Sequence, residues 1–424
     1  MRGDMQSWRR SFRLLPLAMF FAAAAIAVPR SARADETAKA NGPAQASQTA
    51  GQAAAQPAPV ENISAWIQQL GDDRFEVREE ASRHLSQMGI EIQPALDTAL
   101  HSPDPEIRVR VRRVLETIVK ADLERRLIAF AEDVNDTKHL DLPGWARYRQ
   151  VVGSAGAARQ LFVEMQRAEP NLFRAVEEGP SATSQSLENC VTQEIVQMQV
   201  RQRVVGGYSI SLGSVGAMLF VGSDKHVTLA DDLAMQLVFL TNQPAIQQTI
   251  NGGAQAAAVK KILGAWVAHD ATANVLAQNL WLAMRFDLKE GVEPAANALR
   301  QGNQPANIKQ TALMLIGKLG DKSNLPAVEA CLKDTDICAQ FMMNNQQFQT
   351  QVGDVALAIA IKLQGQDPKA FGFDRLDTNG LPYYNPATLG FRTAADRETA
   401  MKKWDAWVAA HRGTADASSQ GKKS

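Results

Sequence analysis

Apolar side chains recur at helical spacing along residues 307–334 and predict a pair of helices. In the first half, which ends at Gly320, they share one helical face and comprise Ile308, Ala312, Leu315, Ile316 and Leu319. Pro326 marks the first turn of the second helix, where its missing N–H leaves no helical hydrogen bond unmade. In this half the apolar positions are Leu325, Val328, Cys331 and Leu332. Two helices joined by so short a link predict an antiparallel helical hairpin.

The same spacing returns in other parts of the chain. We call the spacing of the first helix, from Ile308 to Gly320, the template. Six of its positions recur without a gap, at Val77, Arg78, Ala81, Leu85, Met88 and Gly89. A second copy lies 30 positions downstream, at Ile107, Arg108, Val111, Leu115 and Ile118. A further first helix is outlined by Val352, Ala356, Ala360 and Leu363. A repeat of this size is typical of a solenoid, in which each hairpin buries its apolar face by stacking on its neighbours.

These positions resemble HEAT repeats, in particular the short bacterial kind first described in phycobilisome lyases. The pattern Asp-x-x-x-Val-Arg-x-x-Ala-x-x-x-Leu stands here as Asp73, Val77, Arg78, Ala81 and Leu85. The resemblance covers about 61–120 and 274–365 and fades between them. It implies that Asp73, Arg78 and Arg108 form hydrogen-bond ladders between adjacent repeats. Repeats of this kind specify a scaffold and leave its chemistry open.

The predicted fold class is therefore all-α: an α-solenoid of HEAT-like helical hairpins with a C-terminal capping helix. The last helix carries Ala400, Trp404 and Trp407 on one face, which would cover the open end of the final repeat. We divide the chain into a signal peptide (1–34), a disordered linker (35–60), N-terminal HEAT-like repeats (61–125), a helical middle region (126–255), C-terminal HEAT-like repeats (256–365), an irregular segment with the capping helix (366–411) and a disordered tail (412–424).

The N-terminus has the features of a bacterial secretory signal peptide. Arg9, Arg10 and Arg13 precede an apolar run, 14–28, and a small-residue cleavage motif ends at Ala34. An uncleaved membrane anchor is the competing interpretation, but the run is short for a span of about 20 residues. We therefore expect cleavage after Ala34, a periplasmic or secreted protein, and no stable membrane span afterwards.

Formal charge argues against a nucleic-acid partner. Residues 1–34 carry six arginines and one aspartate, and without them 39 basic side chains face 44 acidic ones, a charge of about −5. A weakly acidic protein is not the usual nucleic-acid binder, although a local basic patch stays compatible with this balance.

The densest basic stretch is the helix that opens at Pro105. Its arginines, which are the binding candidates on this helix, are Arg108, Arg110, Arg112 and Arg113. One interpretation is an anion-binding face for phosphate, lipid head groups or an acidic partner. The other is a solvated helix face combined with a repeat ladder, since Glu106 and Glu116 are interspersed among the arginines.

Trp145 and Tyr148 are the aromatic binding candidates, on a helix that follows a Leu-Pro-Gly turn. Aromatic residues at helical spacing are more often core residues, and this alternative stays open for both. Trp266 and Trp281 are predicted to lie in the core. Gln346–Thr350 predict a glutamine-rich loop or the start of a helix.

Residues 180–255 carry the weakest pattern in the chain. Ser181–Ser186 are polar and predict an exposed loop. Val191–Val205 alternate partly as a strand would, but we assign a helix because the rest of the chain is helical. The glycines of this region match neither the dinucleotide-binding pattern nor the P-loop pattern, so they do not indicate a phosphate site.

Catalytic and metal-binding motifs are missing from the sequence. None of the six histidines is followed by Glu, which speaks against the metal-dependent HEAT-repeat hydroxylases, and no C-x-x-C or G-x-S-x-G occurs. We therefore predict no catalytic, metal or cofactor site. In an oxidising compartment Cys331 and Cys338 could form a disulfide, but two free thiols are an equal alternative, and Cys190 has no identified catalytic base.

The leading functional interpretation is an exported, non-enzymatic scaffold that binds a protein partner, of unknown identity, in the cell envelope. A carbohydrate- or small-ligand-binding module is the second, using Trp145, Tyr148 or the aromatic segment near Tyr383 and Tyr384. The third is an unrecognised lyase or hydrolase whose residues lie in the middle region. A large exposed apolar patch would favour the first, and several perturbed carboxylates converging in a pocket would favour the third.

Overall fold

Helices dominate the computed structural model, as the apolar spacing predicts. The structure describes residues 60–134, 137–138, 140–204, 209–269, 272–343, 346–378 and 383–420. The predicted signal peptide, its cleavage site after Ala34 and the linker up to residue 59 lie outside the described residues. The described residues form one compact unit.

The described residues contain 18 α-helices and one antiparallel β-hairpin. The helices are α1 Val60–Gln69, α2 Phe75–Met88, α3 Gln93–Ala99, α4 Pro105–Glu132, α5 Trp145–Val151, α6 Gly156–Ala168, α7 Pro170–Glu178, α8 Pro180–Val204, α9 Leu212–Gly222, α10 Asp231–Thr241, α11 Pro244–Ile250, α12 Ala256–Val267, α13 Ala273–Phe286, α14 Val292–Gln301, α15 Ala306–Leu319, α16 Leu325–Glu329, α17 Val352–Leu363 and α18 Ala394–Gln420. The strands are β1 Ile337–Met343 and β2 Gln346–Gln351.

Two hydrophobic cores share the long helix α4. Its first half contributes Ile107 and Val111 to a core built with α1, α2 and α3, in which Leu85 is fully buried. Its last turns contribute Leu127 and Phe130 to a second core that continues to α18. Because α4 is one continuous helix, its backbone joins the two cores.

The two N-terminal copies of the template use their arginine in the same way. Nη1 of Arg78 donates to the carbonyl oxygens six and five positions upstream, at 2.7 and 3.0 Å. Nη1 of Arg108 makes the same two bonds, at 2.7 and 2.9 Å. The resemblance implied bonds between adjacent repeats, whereas these bonds close the turn before each helix. Asp73 takes part through its carbonyl oxygen.

Four carbonyl oxygens at helix C-termini receive hydrogen bonds from cationic side chains of other helices; three lie in a last turn, and the fourth belongs to Val152, which follows α5 directly. These oxygens have no partner within their own helix, so a donor from elsewhere stabilises the helix end. The pairs are Arg159 with Phe130, Lys261 with Val152, Arg147 with Phe220, and Lys318 with Met284, at 2.6 to 2.8 Å. Helices that are distant in the chain are fastened together by this means.

The two helices predicted over 307–334 are present, and the second is shorter than the spacing indicated. They pack mainly against other helices, α15 against α14 and α17, and α16 against α17 and α14. α15 buries the expected positions Ile308, Ala312, Leu315 and Ile316. α16 covers only Leu325–Glu329. Gly320 follows α15 with an extended backbone (φ −79°, ψ −179°), so the glycine serves close packing here and not a left-handed turn. A Cβ at this position would lie 2.7 Å from Oδ1 of Asn324.

The prediction for Gln346–Thr350 is wrong, since this segment is strand β2 and not a loop or a helix start. Phe348 and Thr350 are buried while Gln349 between them is exposed, which is the two-residue alternation of a strand. β1 supplies the partner, and the Phe341 ring stacks on Phe348 with centroids 5.3 Å apart. The hairpin is thus a local exception in a mostly helical chain.

The predicted loop Ser181–Ser186 is also wrong, because these residues form the first turns of α8. Pro180 starts this helix, where proline is well tolerated. The buried Thr183 hydroxyl donates to the carbonyl oxygens of Gly179 (2.8 Å) and Ala175 (3.0 Å), so a polar side chain is accommodated within the packed helix pair. The helix predicted over Val191–Val205 is confirmed as far as Val204.

A buried ion pair attaches the last helix to α17. Asp354 is 1% exposed, and its carboxylate accepts two hydrogen bonds from Arg397 on α18, at 2.6 and 3.0 Å. The same carboxylate caps the N-terminus of α17 by accepting from the backbone N–H of Gln351 at 2.9 Å. Ala400 and Trp404 bury the expected face of α18, which continues to Gln420.

We expect Arg397→Met to lower the free energy of unfolding by about 3–5 kcal/mol, because it leaves the Asp354 carboxylate buried without its counter-charge. Urea unfolding monitored by circular dichroism measures the loss. Glu398→Gln is the matched control, since it also changes one charge on α18 but affects an exposed side chain. Equal unfolding midpoints for the two variants would contradict the structural role of the ion pair.

The free energy of unfolding that Arg397→Met loses should depend on pH in a defined direction. Burial raises the pKa of Asp354 above its usual range, and Arg397 opposes this rise. Without Arg397 the folded state binds the proton more tightly than the unfolded state does. The difference in the free energy of unfolding between the variant and the unmodified chain should therefore become smaller as the pH falls through the raised pKa of Asp354. A difference that is constant from neutral to mildly acidic pH would count against this account.

All three cysteines are free thiols in the structure. Cys331 is buried, and the Cys338 thiol donates to the carbonyl oxygen of Thr350 at 3.4 Å. Burial raises the pKa of Cys331 to about 11 and that of Cys338 to about 12. Both side chains are therefore neutral thiols at ordinary pH.

Iodoacetamide should label the folded chain slowly at neutral pH and add three groups once the chain is denatured without reductant. The physical reason is that the thiolate, which burial disfavours here, is the reactive species. Intact mass measures both states. A single adduct on the denatured, unreduced chain would show instead that two of the cysteines are joined in a disulfide.

Candidate functional site

The basic helix α4 uses half of its candidate arginines inside the fold. Arg108 closes the preceding turn through backbone carbonyl oxygens. Arg110 is only 7% exposed, and its guanidinium lies between Glu106 (2.7 Å) and Glu79 (2.8 Å). Because Glu79 belongs to α2, Arg110 ties α2 to α4. Arg78 reaches the same Glu106 at 3.3 Å, so the contacts between the two copies run through this cluster.

Arg112 and Arg113 are the two candidates that remain at the surface of α4. Neither has an ion-pair partner among the described residues. Two exposed arginines on a helix face fit the solvated interpretation as well as an anion-binding one. The structure thus reduces the predicted basic face from four side chains to two.

Trp145 and Tyr148 lie in the core, with 5% and 0% of their surfaces exposed. The Trp145 ring meets Phe130 edge-on at 4.8 Å between centroids, and Tyr148 packs against Phe162 at 4.9 Å. The Tyr148 hydroxyl donates to the carbonyl oxygen of Ala158 at 2.8 Å. Burial raises the pKa of Tyr148. Neither ring is accessible to a ligand, so the core alternative describes both.

Trp281 is 55% exposed, and its predicted place in the core is wrong, whereas Trp266 is buried as predicted. Sequence reasoning also did not single out Phe239 (51% exposed) or Met235 (37% exposed). These three large apolar side chains lie on the outer faces of α10 and α13, which pack against each other. We call the surface formed by Met235, Phe239 and Trp281 the α10–α13 face.

A hydrogen bond joins the exposed stripes of the two helices. The stripe of α10 comprises Asp232, Met235, Phe239 and Asn242, and that of α13 comprises Asn274, Gln278, Trp281 and Arg285. Nη1 of Arg285 donates to Oδ1 of Asn242 at 3.1 Å, and Nη2 donates to Oε1 of Gln247 at 2.8 Å. Both stripes therefore belong to one surface, with Trp281 one turn before Arg285 and Phe239 one turn before Asn242.

The far end of this surface is acidic and contains a small pocket. Asp231 and Asp232 open α10, both are exposed, and neither has an ion-pair partner among the described residues. A cavity of about 100 Å³ lies beside Asp231, with His269 and Thr272 in its wall. The face thus combines an apolar centre with negative charge at one end.

The perturbed carboxylates do not converge on one site. Glu169, between α6 and α7, has a pKa raised by burial, and it hydrogen-bonds to Cys190 and Ser214. Burial and the neighbouring Glu169 raise the pKa of Cys190 to about 12, so this thiol is a hydrogen-bond donor and not a nucleophilic thiolate. The other raised carboxyl pKa belongs to Asp354, which is bound to Arg397.

Among the described residues, no group of three or more His, Cys, Asp or Glu side chains is arranged to hold a metal ion. No helix within the described ranges is long and apolar enough to cross a membrane. A scan against protein-family models gave no match, and neither did searches among curated proteins and solved structures. The assignment of the basic face of α4 and of the α10–α13 face as candidate surfaces therefore rests on the geometry of the described residues.

We expect Arg110→Ala to lower the free energy of unfolding by about 1–2 kcal/mol, because it removes a buried stem, the ion pair with Glu79 that joins α2 to α4, and the ion pair with Glu106 within α4. Arg113→Ala is the matched control on the same helix, with an expected change within about 0.5 kcal/mol. Thermal and urea unfolding measure both variants. A larger decrease in the free energy of unfolding from Arg113→Ala than from Arg110→Ala would contradict the structural role of Arg110.

Proposed function

We propose that this chain is an exported helical-repeat scaffold that binds another protein through the α10–α13 face. The observation that carries this proposal is the exposure of Met235, Phe239 and Trp281 on two helices that pack against each other. Covering apolar surface is the main favourable term in protein association, and contiguous exposed patches mark such sites. Tryptophan is also enriched among the side chains that contribute most binding energy.

The repeat architecture in this proposal rests on Arg78 and Arg108. Each closes the turn before its helix with the same two hydrogen bonds, 30 residues apart in the chain. We infer an α-solenoid of HEAT-like hairpins whose end α18 covers. In the same proposal, residues 1–34 direct export and are removed after Ala34, so the scaffold works in the periplasm or outside the cell.

The two ends of the face indicate the partner's chemistry. Asp231 and Asp232 offer unpaired negative charge at one end. At the opposite end Arg285 hydrogen-bonds to the neutral amides of Asn242 and Gln247 and keeps its positive charge, which would repel a basic group of the partner there. We therefore propose that the docked segment carries apolar side chains for the centre and a lysine or arginine beside Asp231.

A photoreactive phenylalanine analogue in place of Phe239 or Trp281 should cross-link to one envelope protein. The cross-linked peptide should be apolar with a basic residue at one end. Mass spectrometry of the cross-linked product identifies that peptide. With the purified partner, Trp281→Ser should weaken binding by about tenfold or more.

Phe75 provides the matched control, because it is 58% exposed on α2 and lies outside the face. The same analogue at position 75 should give no such product, and Phe75→Ser should leave the affinity unchanged. Cross-links only to a second copy of this chain would show a self-association surface and contradict the proposal. Equal loss of binding from Phe75→Ser and Trp281→Ser would contradict it as well.

A further inference from the structure

A second pocket, unrelated to the α10–α13 face, lies near the C-terminus. Its volume is about 340 Å³, and its wall comes from residues 371–375, the segment 388–392 and the start of α18. Phe371, Phe373 and Phe391 supply an apolar, largely buried part of this wall. We call it the C-terminal pocket. Its size is that of pockets that enclose small organic molecules.

Three cationic side chains line the C-terminal pocket, and each comes from a different part of its wall: Arg375, Arg392 and Lys403. Among the described residues, none of the three lies within ion-pair distance of a carboxylate. Lys403 donates only to a backbone carbonyl oxygen, that of Ala370, at 3.3 Å. These charges therefore differ from those of Arg110 and Arg147, which form ion pairs with carboxylates of the fold.

The acidic side chains of the wall do not neutralise this set. Asp396 accepts a hydrogen bond from the backbone N–H of Thr393 at 3.2 Å, so its carboxylate caps the start of α18. Asp374 is exposed and makes no ion pair within the described residues. Three cations against two carboxylates leave a positive surplus in the pocket.

Arg375 is held rigidly and keeps unused hydrogen-bonding capacity. Its guanidinium carbon lies 3.8 Å from the centroid of the Phe348 ring, and Nη2 donates to the carbonyl oxygen of Gly390. Its Nη1 is buried and has no acceptor among the described residues. An unsatisfied buried donor costs free energy, and an oxygen atom of a ligand is the kind of acceptor that removes this cost.

The backbone around Arg375 is fixed by close packing. A Cβ on Gly390 would lie 2.6 Å from the carbonyl oxygen of Gln349, so only glycine lets this strand and loop approach. Burial and the neighbouring charge of Arg392 both lower the pKa of Arg375. Both arginines line the same pocket. Close packing thus preorganises the position of Arg375 in the pocket wall.

We propose that the C-terminal pocket binds a small organic oxyanion, with Arg375, Arg392 and Lys403 holding its carboxylate or phosphate group. Charge-assisted hydrogen bonds from arginine and lysine are the strong kind that select such groups. The three phenylalanines contact the organic part of the ligand. A volume of about 340 Å³ exceeds that of one phosphate ion, so the pocket has room for the organic part of a ligand as well.

Isothermal titration calorimetry of the full chain tests this with glycerol 3-phosphate, succinate and inorganic phosphate as probes. We expect binding of at least one organic probe in the millimolar range or tighter. Preference for glycerol 3-phosphate identifies a phosphate ester as the ligand class, and preference for succinate identifies a carboxylate. No binding of any probe, or binding of inorganic phosphate alone, would overturn the proposal.

Two double variants that remove the same charge distinguish binding in the pocket from an effect of the net charge of the protein. Arg392→Gln with Lys403→Gln removes two exposed cations of the pocket and should weaken binding by about tenfold or more. Arg112→Gln with Arg113→Gln removes two exposed cations of α4 and should leave the affinity unchanged. Equal weakening by both double variants would mean that only net charge matters and would refute the assigned site. Circular dichroism confirms that each variant is folded.

Discussion

Carbonyl oxygens at helix ends need hydrogen-bond donors, and the packing of this chain depends on how that need is met. Short helices with short links bury many such ends. Arg147 supplies a donor for Phe220, 73 positions away, and Lys261 does so for Val152, 109 positions away. Each bond both satisfies a helix end and joins helices that are distant in the chain. The hydrogen bonds of these cations therefore stabilise the tertiary structure.

This use of cations changes how basic residues should be interpreted. A run of arginines in the sequence suggests an anion site, yet Arg108 and Arg110 are held by carbonyl oxygens and carboxylates of the fold. The informative property is a cation that has no carboxylate partner and a buried N–H without an acceptor among the described residues. Arg375 has this property at Nη1, although its stretch of sequence is not notably basic. Local charge density alone would direct attention to α4.

Helical spacing predicted most of the helices and much of the core, including the faces of α15 and α18, because 3.6-residue periodicity reports which residues share a face. It failed at β2, where Phe348 and Thr350 alternate with glutamines over too few residues to outweigh a helical context. It also could not tell Trp266 from Trp281. Whether a face is covered depends on helices elsewhere in the chain, which a local pattern does not contain.

The two proposed surfaces share a feature that folding does not explain. α13 already buries Leu280 and Leu282 in the core, so Trp281 between them adds little to the stability of the folded state while it lies in water. A single exposed apolar residue would need no explanation, but Phe239 lies on the adjoining stripe of the same surface. In the C-terminal pocket, three cations likewise stand where the described residues provide no carboxylate within ion-pair distance. The apolar face suits contact with another molecule better than contact with water, and the pocket suits contact with an anion.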